Sequence, residues 1–240
     1  MRSRTVAVSS AALFLTTAAL FSITVFVPLY LQTTTGATPT EAGLLLAPMM
    51  LGITLSTNLA GRAIARTGRY KRYPIIGLAA MGVALGLLAT LAPHPSPARI
   101  AATLVLFGLG FGMVGQVLIV AVQNGVERRQ LGIAMGTTTF FRGLGGAVGA
   151  AVLGAIFTAR TGASSTVAGL QHLGTAARID VIHGVQTVFL CAAPIAAVAL
   201  ATVLLLREVP LDAREPIQHR LPALTPQRSA ARAPGSPAGR

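Results

Sequence analysis

Arg142 is the residue with the greatest chemical consequence in the sequence, because it interrupts an otherwise apolar run from about residue 130 to residue 158. It lies roughly 18 Å from the start of a helix built on that run, at about 1.5 Å per residue. A charge near the centre of a bilayer costs at least about 2.5 kcal/mol, so the guanidinium must face protein or water rather than lipid. Arg142 therefore either lines a substrate path or anchors the structure by donating to a carbonyl or a helix end.

A second polar group and several aromatic side chains accompany this arginine. Gln116 lies deep in another apolar run, where an amide either contacts substrate or hydrogen-bonds a neighbouring helix. Phe111, Phe140 and Phe141 are candidates for an apolar pocket, although most such side chains face lipid or other helices. These four residues and Arg142 form the predicted substrate path.

Carboxylates are missing from the apolar runs, and this limits the chemistry that the sequence can support. Glu41, Glu127 and Asp180 fall at a predicted helix start or in predicted loops. A proton-coupled antiporter normally needs a carboxylate that charges and discharges inside the membrane. His183 near Asp180 is the one weak candidate for enzymatic chemistry, and we interpret the two as a loop pair.

Signatures of other functional classes are also missing from the sequence. It has no G-x-x-x-x-G-K-[ST] loop, so ATP-driven export is not supported. The single cysteine, Cys191, can form no internal disulfide, and no zinc-type spacing is present. No Ser-His-Asp set converges on one element. We therefore predict a protein that is not an enzyme, with no catalytic residues, no cofactor and no metal site.

The elements that position these residues are membrane-spanning helices. Hydrophobic residues make up 53% of the 240 residues and charged residues only 10%, whereas soluble domains carry about 25% charged residues. Each uncharged run can hold the roughly 20 apolar residues that a membrane helix needs. The runs are continuous, unlike the alternating strands of a barrel. The sequence therefore predicts an all-α membrane protein with six transmembrane helices.

The predicted helices divide the chain into a membrane bundle and a tail. They cover about residues 7–31, 41–60, 74–92, 99–122, 131–158 and 184–206. Thr38, Pro39 and Glu41 predict a capping box at the start of the second helix. Residues 1–208 form the predicted bundle, and residues 209–240, rich in Pro, Arg, Ala and Ser, form a disordered basic cytoplasmic tail.

Loop cations predict the orientation of the bundle in the membrane. The net charge of +13 is attributed to these cations rather than to nucleic-acid binding. Alternate connections, counted from the N-terminus, carry most of the arginines, whereas the opposite connections carry only Arg99, Arg160 and Arg178. The positive-inside rule then places both termini in the cytoplasm of a multi-pass cell-membrane protein.

The connection after the second predicted helix resembles the G-x-x-x-D-R-x-G-R-R loop of the major facilitator superfamily. Gly61, Arg66, Gly68 and Arg69 match that motif, and its aspartate position holds Ala65. The resemblance implies a tight cytoplasmic turn between two helices. Ala65 removes the carboxylate of the charge relay usually attributed to the loop.

The wider pattern resembles the EmrB/QacA type of drug–proton antiporter over about residues 5–208. The matching segments are residues 26–32, 42–44 with Pro48, 61–72, 108–112, 123–124 and 140–149. Their order and spacing are similar to the C-terminal six helices of that fourteen-helix branch. The resemblance implies one six-helix half of a transporter fold and export of hydrophobic or cationic small molecules driven by proton entry.

Four glycines in the fourth and fifth predicted helices have the spacing of helix-packing motifs. Gly108 and Gly112, and likewise Gly145 and Gly149, are four residues apart. Lipid supplies no hydrophobic drive between helices, so small residues at this spacing favour close backbone packing. Simple packing is the favoured interpretation, and a role as flexible sites of rocking in a transporter is compatible with it.

The resemblance covers only the C-terminal half of the family's fold, and this predicts which partners the chain needs. In that family the coupling acids belong mainly to the N-terminal half, which this sequence does not contain. The predicted partners are the lipid bilayer, a small-molecule substrate, and either a separately encoded N-terminal half or a second copy of the chain, since the two halves are parallel repeats. A truncated or split gene product would explain such a half. The alternative is a non-transporting fragment or a membrane partner that modulates another transporter.

Overall fold

A computed structural model describes residues 2–67, 71–91, 96–161 and 175–204 of the chain. The helices within these residues are α1 (Arg2–Thr35), α2 (Pro39–Leu44), α3 (Ala47–Thr67), α4 (Arg72–Leu91), α5 (Pro97–Gly125), α6 (Leu131–Thr161) and α7 (Thr175–Leu204). A short 3-10 helix, Arg128–Gln130, leads into α6. The predicted tail at 209–240 lies outside the described residues.

Six segments of the described residues are long and apolar enough to cross a membrane. This confirms the predicted all-α fold with six transmembrane helices. The second segment, Pro39–Ile64, contains both α2 and α3. Its predicted capping box is confirmed, because the Glu41 amide donates to Thr38 Oγ1 at 3.3 Å and the Thr38 amide donates to Glu41 Oε2 at 2.8 Å. However, α2 ends at Leu44, so this segment is a broken helix rather than one continuous helix.

The last helix begins earlier than the sequence predicts. Its start at Thr175 precedes the predicted start at residue 184, so Asp180 and His183 lie on a helix and their interpretation as a loop pair is wrong. The Arg178 guanidinium holds this early start in place by donating to the Thr33 carbonyl at 2.7 and 2.9 Å and to the Thr34 carbonyl at 3.2 Å. A cation at the end of α1 satisfies carbonyls that the helix leaves open and complements its dipole.

The six membrane-spanning segments fall into two consecutive sets of three, and each set packs against the other. In the first set α1 is followed by α2–α3 and α4, and in the second set α5 is followed by α6 and α7. The first helix of each set packs against the second and third helices of the other set, α1 on α6 and α7, and α5 on α3 and α4. Contacts of α1 with α5 and of α4 with α7 close the bundle. The contacts that the second set makes with the first therefore approximately repeat those that the first set makes with the second.

Burial is uneven across this bundle. In their most apolar stretches, 56% of residues are buried in α1 and α5, but only 22% in the α2–α3 segment and 28% in α6. The main core is supplied mostly by α1, α4, α5 and α7. Because α4 and α7 cover one side of α1 and α5 while α3 and α6 flank them, the remaining side of the bundle is uncovered by any described helix. We call this side the open face.

Candidate functional site

The centre of the open face is formed by one stripe on α1 and one on α5. On α5 the stripe is half-buried and recurs at helical spacing, with Leu109, Met113, Gln116 and Val120 as its members. Gln116 is the polar group of this stripe, and within the described residues it makes no hydrogen bond to a neighbouring helix. Its amide is therefore available to a molecule or a protein segment that covers the open face.

Arg142 lies on an exposed side of α6, near the middle of that helix. It has neither a hydrogen bond nor an ion pair with any described residue. The interpretation of Arg142 as an anchor to a carbonyl or helix end therefore has no contact to support it in this six-helix unit. A charge at this depth is too costly to leave in lipid, so the side of α6 that carries it requires protein or water.

The three phenylalanines of the predicted substrate path occupy two different environments. Phe140 and Phe141 are 64% and 38% exposed on α6, and their rings meet edge to face with centroids 5.7 Å apart. Phe111 is only 6% exposed, and its ring stacks on Phe107 at a centroid distance of 6.4 Å. Phe111 therefore lies in the core of the bundle, because it is on the side of α5 opposite the half-buried stripe.

Two exposed polar side chains on α3 are not among the residues predicted from the sequence. Thr54 and Asn58 are exposed one helical turn apart on this poorly buried helix. Each satisfies itself locally, since Thr54 Oγ1 donates to the Met50 carbonyl at 2.9 Å and Asn58 Nδ2 donates to the Thr54 carbonyl at 2.7 Å. Their i, i+4 spacing within an apolar run was the available signal, because polar groups on one helix face mark a side that does not meet lipid.

The loop motif is described only in part. Gly61 and Arg66 lie near the end of α3, with Gly61 half-buried and Arg66 exposed. Gly68 and Arg69 lie outside the described residues. Gly61 and Arg66 therefore lie at one end of the bundle, close in sequence to the buried side chain of Ile64.

The four glycines predicted for packing lie at two helix crossings. A Cβ on Gly108 would collide with the Met49 carbonyl, and one on Gly112 would meet the Ile53 carbonyl at 2.5 Å. These contacts bring α5 against α3. At the other crossing, Gly145 faces the backbone of Phe14 and Gly149 faces Ala18, where a Cβ added to Gly149 would lie 2.5 Å from the Ala18 Cα. These contacts bring α6 against α1.

The predicted site residues combine one cation, one amide and aromatic rings. Among the predicted residues, Gln116 lies in the half-buried stripe of α5, and Arg142, Phe140 and Phe141 are exposed on α6. Asp180 and Glu41 lie near the starts of their helices, far along the chain from Arg142. Such a face can hold a hydrophobic molecule and place one positive charge against it or against a covering protein.

Comparisons with known proteins match this chain to transporters. The sequence model of the Major Facilitator Superfamily matches residues 1–150. An uncharacterized MFS-type transporter of Mycobacterium tuberculosis is 35% identical over 205 residues, covering 78% of this chain and 30% of that protein. A tetracycline resistance determinant of Streptomyces rimosus is 36% identical over 152 residues, covering 63% of this chain and 44% of the relative.

A third relative extends the same pattern. The multidrug transporter protein MdtP of Bacillus subtilis is 31% identical over 143 residues, which is 60% of this chain and 26% of MdtP. The chain thus spans less than half the length of each of these three relatives.

Proposed function

This chain belongs to the major facilitator superfamily, and we propose that it is the C-terminal six-helix half of a fourteen-helix drug–proton antiporter of the EmrB/QacA type. In the complete transporter it exports hydrophobic or cationic small molecules in exchange for protons. Support comes from the six membrane helices and from relatives that are named as a tetracycline resistance determinant and a multidrug transporter. Those names give no support to the alternative of a non-transporting modulator.

The observation that carries this function is the position of Arg142. It is exposed on a membrane helix and without a partner among the described residues, so the open face calls for protein or water over it. A second half that closes over this face provides both, because a transporter of this superfamily binds its substrate near the midplane between its two halves. Arg142, Gln116, Phe140 and Phe141 then line or approach the substrate path.

The partner that best completes this unit is a separate N-terminal half. The chain spans 30% of its M. tuberculosis relative and 26% of MdtP, so those transporters have a large part beyond the region that this chain matches. A proton-coupled cycle needs an intramembrane carboxylate, and we assign that carboxylate to the second half. A homodimer would double Arg142 without adding such a carboxylate in the middle of a span, so we rank it second.

The proposed orientation in the cell membrane follows from the charges at the two ends of the bundle. Arg62 and Arg66 at the end of α3 and Arg128 before α6 lie at the end where α1 begins, which the positive-inside rule assigns to the cytoplasm. Arg178 meets the opposite end of α1 and belongs to the outer side. The partly matched loop at residues 61–69 is then a cytoplasmic turn, and the glycine crossing of α1 with α6 is the site at which these two helices rock against each other.

A chimaera tests the transport function. The segment of the S. rimosus determinant that this chain matches is replaced by the corresponding segment of this chain, and tetracycline accumulation is measured in cells with and without a protonophore. We expect the chimaera to lower accumulation and the protonophore to abolish the effect. The parent determinant and a chimaera with Arg142→Ala serve as the positive and negative controls.

Expression of the chain alone tests whether drug export requires a second half. We expect it to insert in the membrane and to leave tetracycline accumulation unchanged. Protonophore-sensitive efflux by the chain alone would contradict the need for a second half. A chimaera that is produced and inserted but never lowers accumulation would contradict the proposed drug export.

A further inference from the structure

One exposed face of α3 joins a stripe of leucines to two arginines. Leu51, Leu55 and Leu59 are 65%, 58% and 60% exposed, and Arg62 and Arg66 are exposed as well. Residues three and four positions apart lie on one face of a helix, so the spacing of these side chains places them on a single stripe. We call this stripe the leucine–arginine face.

The leucine–arginine face is turned away from the helix on which α3 packs. The α3 residues that meet α5 include Ile53, Ser56 and Ala60, which alternate along the chain with the leucines. The α2–α3 segment is the least buried of the six described membrane-spanning segments, at 22% of its most apolar stretch. The face carries leucines rather than the small residues through which membrane helices pack closely. It is therefore better suited to the acyl chains of lipid than to another helix.

The two arginines lack a counter-charge among the described residues. Arg62 and Arg66 make neither a hydrogen bond nor an ion pair with any of them. They lie one helical turn apart, where like charges repel each other. The dipole of α3 favours a cation in its last turn, which accounts for Arg66, but Arg62 lies before that turn. An anion held between the two guanidinium groups would offset the repulsion and pair both charges.

The length of the leucine–arginine face matches one leaflet of a bilayer. The distance along the helix from Leu51 to Arg62 is about 16 Å at 1.5 Å per residue. The hydrocarbon core is about 30 Å thick, so one leaflet supplies about 15 Å of it. A phospholipid whose phosphate lies at the arginines can therefore lay an acyl chain along all three leucines. Guanidinium groups suit this phosphate, because they bind its oxygens through paired hydrogen bonds.

We propose that the leucine–arginine face binds one anionic phospholipid, whose phosphate bridges Arg62 and Arg66 and whose acyl chain lies along the leucines. A headgroup with a net negative charge, such as phosphatidylglycerol, is favoured because a zwitterionic headgroup also brings a cation close to the arginines. Apolar contact contributes equally to both classes of lipid, so the arginines decide the selectivity. The site is separate from Arg142 and Gln116, and its occupancy does not depend on the proposed export.

A single tryptophan on this face tests which lipid occupies it. The chain contains no tryptophan, so Leu55→Trp introduces one fluorophore between the other two leucines. The full-length variant is reconstituted in dioleoylphosphatidylcholine vesicles that contain dibrominated phosphatidylglycerol or dibrominated phosphatidylcholine, since bromine quenches a tryptophan that it contacts. We expect the association constants derived from quenching to favour phosphatidylglycerol at least about fivefold, as expected for one or more basic residues beside an anionic lipid.

Two controls separate a lipid site from general attraction to anionic lipid. Leu190→Trp, at a position that is 54% exposed in the middle of α7, is expected to show no preference. Combined with the α3 fluorophore, Arg62→Gln with Arg66→Gln is expected to remove the preference. Arg128→Gln with Arg129→Gln removes two exposed cations that lie outside α3 and is expected to keep it. Equal losses in these two double variants would indicate a diffuse positive potential and would overturn the site.

Single variants decide the question if the double variant is not recovered in folded form. Arg62→Gln and Arg66→Gln each remove one of the two guanidinium groups, and each is expected to lower the preference for phosphatidylglycerol about twofold or more. An unchanged preference in both single variants would overturn the proposal. Equal association of the two lipids with the parent Leu55→Trp chain would overturn it as well.

Discussion

The crossing of α3 with α5 and the crossing of α1 with α6 use the same device but enclose different amounts of space. Both are parallel pairs held together by glycines, with Gly108 and Gly112 in the first and Gly145 and Gly149 in the second. The α3–α5 pair stays in contact along its length, since Ala60 and other buried side chains continue the packing toward the end of α3. Near the start of the α1–α6 pair, residues of both helices, among them Ala11 and Thr137, line a cavity of about 590 Å³.

This difference suggests separate roles in stability and in function for the two helix crossings. The α3–α5 crossing also carries interhelical hydrogen bonds. Ser56 Oγ donates to the Ile53 carbonyl of its own helix at 3.1 Å and to the Gly108 carbonyl of α5 at 3.5 Å, and Thr57 Oγ1 donates to the Gly112 carbonyl at 3.4 Å. The α1–α6 crossing is built from close glycine contacts, and its second helix carries the exposed Arg142. We infer that the first crossing holds the bundle together, whereas the second is the adaptable one.

The largest effect is expected at the α3–α5 crossing. Gly112→Leu places a side chain against the Ile53 carbonyl and the Ser56 hydroxyl, where backbone atoms leave no room to adjust. We expect the free energy of unfolding to fall by more than about 3 kcal/mol, beyond the usual cost of overpacking. Folded yield in detergent and denaturant-induced unfolding measure the loss.

The control for this prediction lies on the same helix. A Cβ added to Gly115 would have no atom within 4 Å, so Gly115→Leu is expected to change the free energy of unfolding by less than about 0.5 kcal/mol. Equal losses in the two variants would show that helix α5 tolerates no leucine at either position and that the crossing is not the cause.

A smaller effect is expected at the α1–α6 crossing. The Cβ that Gly149→Leu introduces would lie 2.5 Å from the Ala18 Cα, but the open start of this pair lets α6 shift. We expect the free energy of unfolding to fall by about 1–3 kcal/mol, which is less than for Gly112→Leu. The control is Gly143→Leu, because a Cβ added to Gly143 would have no atom within 4 Å. A loss at Gly149 as large as that at Gly112 would remove the distinction between the two crossings.

The sequence predicts the six membrane-spanning helices and the two glycine pairs, but not the difference between the two helix crossings. Apolar runs are sufficient to predict six crossings, because the bilayer fixes the length of each helix. The spacing of Gly108 and Gly112 matches that of Gly145 and Gly149, so the pattern gives no hint that one pair diverges. The space beside each pair depends on the packing of the assembled bundle.

Individual side chains show the same limit. Phe111 and Phe140 are equivalent in the sequence as phenylalanines in apolar runs, yet one is 6% and the other 64% exposed. All faces of a membrane helix are apolar, so hydrophobic periodicity does not separate a core face from a lipid face. The sequence predicts only that lipid excludes the charge of Arg142. Its exposed position on α6 and its lack of a hydrogen bond or ion pair with any described residue could be seen only in three dimensions.

A modest effect is expected from the interhelical hydrogen bond of Ser56. Ser56→Ala removes the bond to the Gly108 carbonyl, which still has its place in the helix ladder of α5. We expect a loss of about 0.5–1 kcal/mol in the free energy of unfolding. Thr54→Ala, whose hydroxyl bonds only within α3, is the matched control and is expected to change nothing measurable. If Thr54→Ala costs as much as Ser56→Ala, the bond between helices is not what stabilises this crossing.

The smallest effect on stability is expected at Arg142, although the proposed function makes transport depend on this residue. Arg142 contacts no described residue through a hydrogen bond or ion pair, so Arg142→Ala is expected to change the free energy of unfolding by less than about 0.5 kcal/mol. In the chimaeric transporter the same change is expected to abolish tetracycline export, while Arg160→Ala, at the end of the same helix, preserves it. A lower folded yield with normal transport per folded molecule would instead identify Arg142 as a structural anchor and would place the functional surface away from α6.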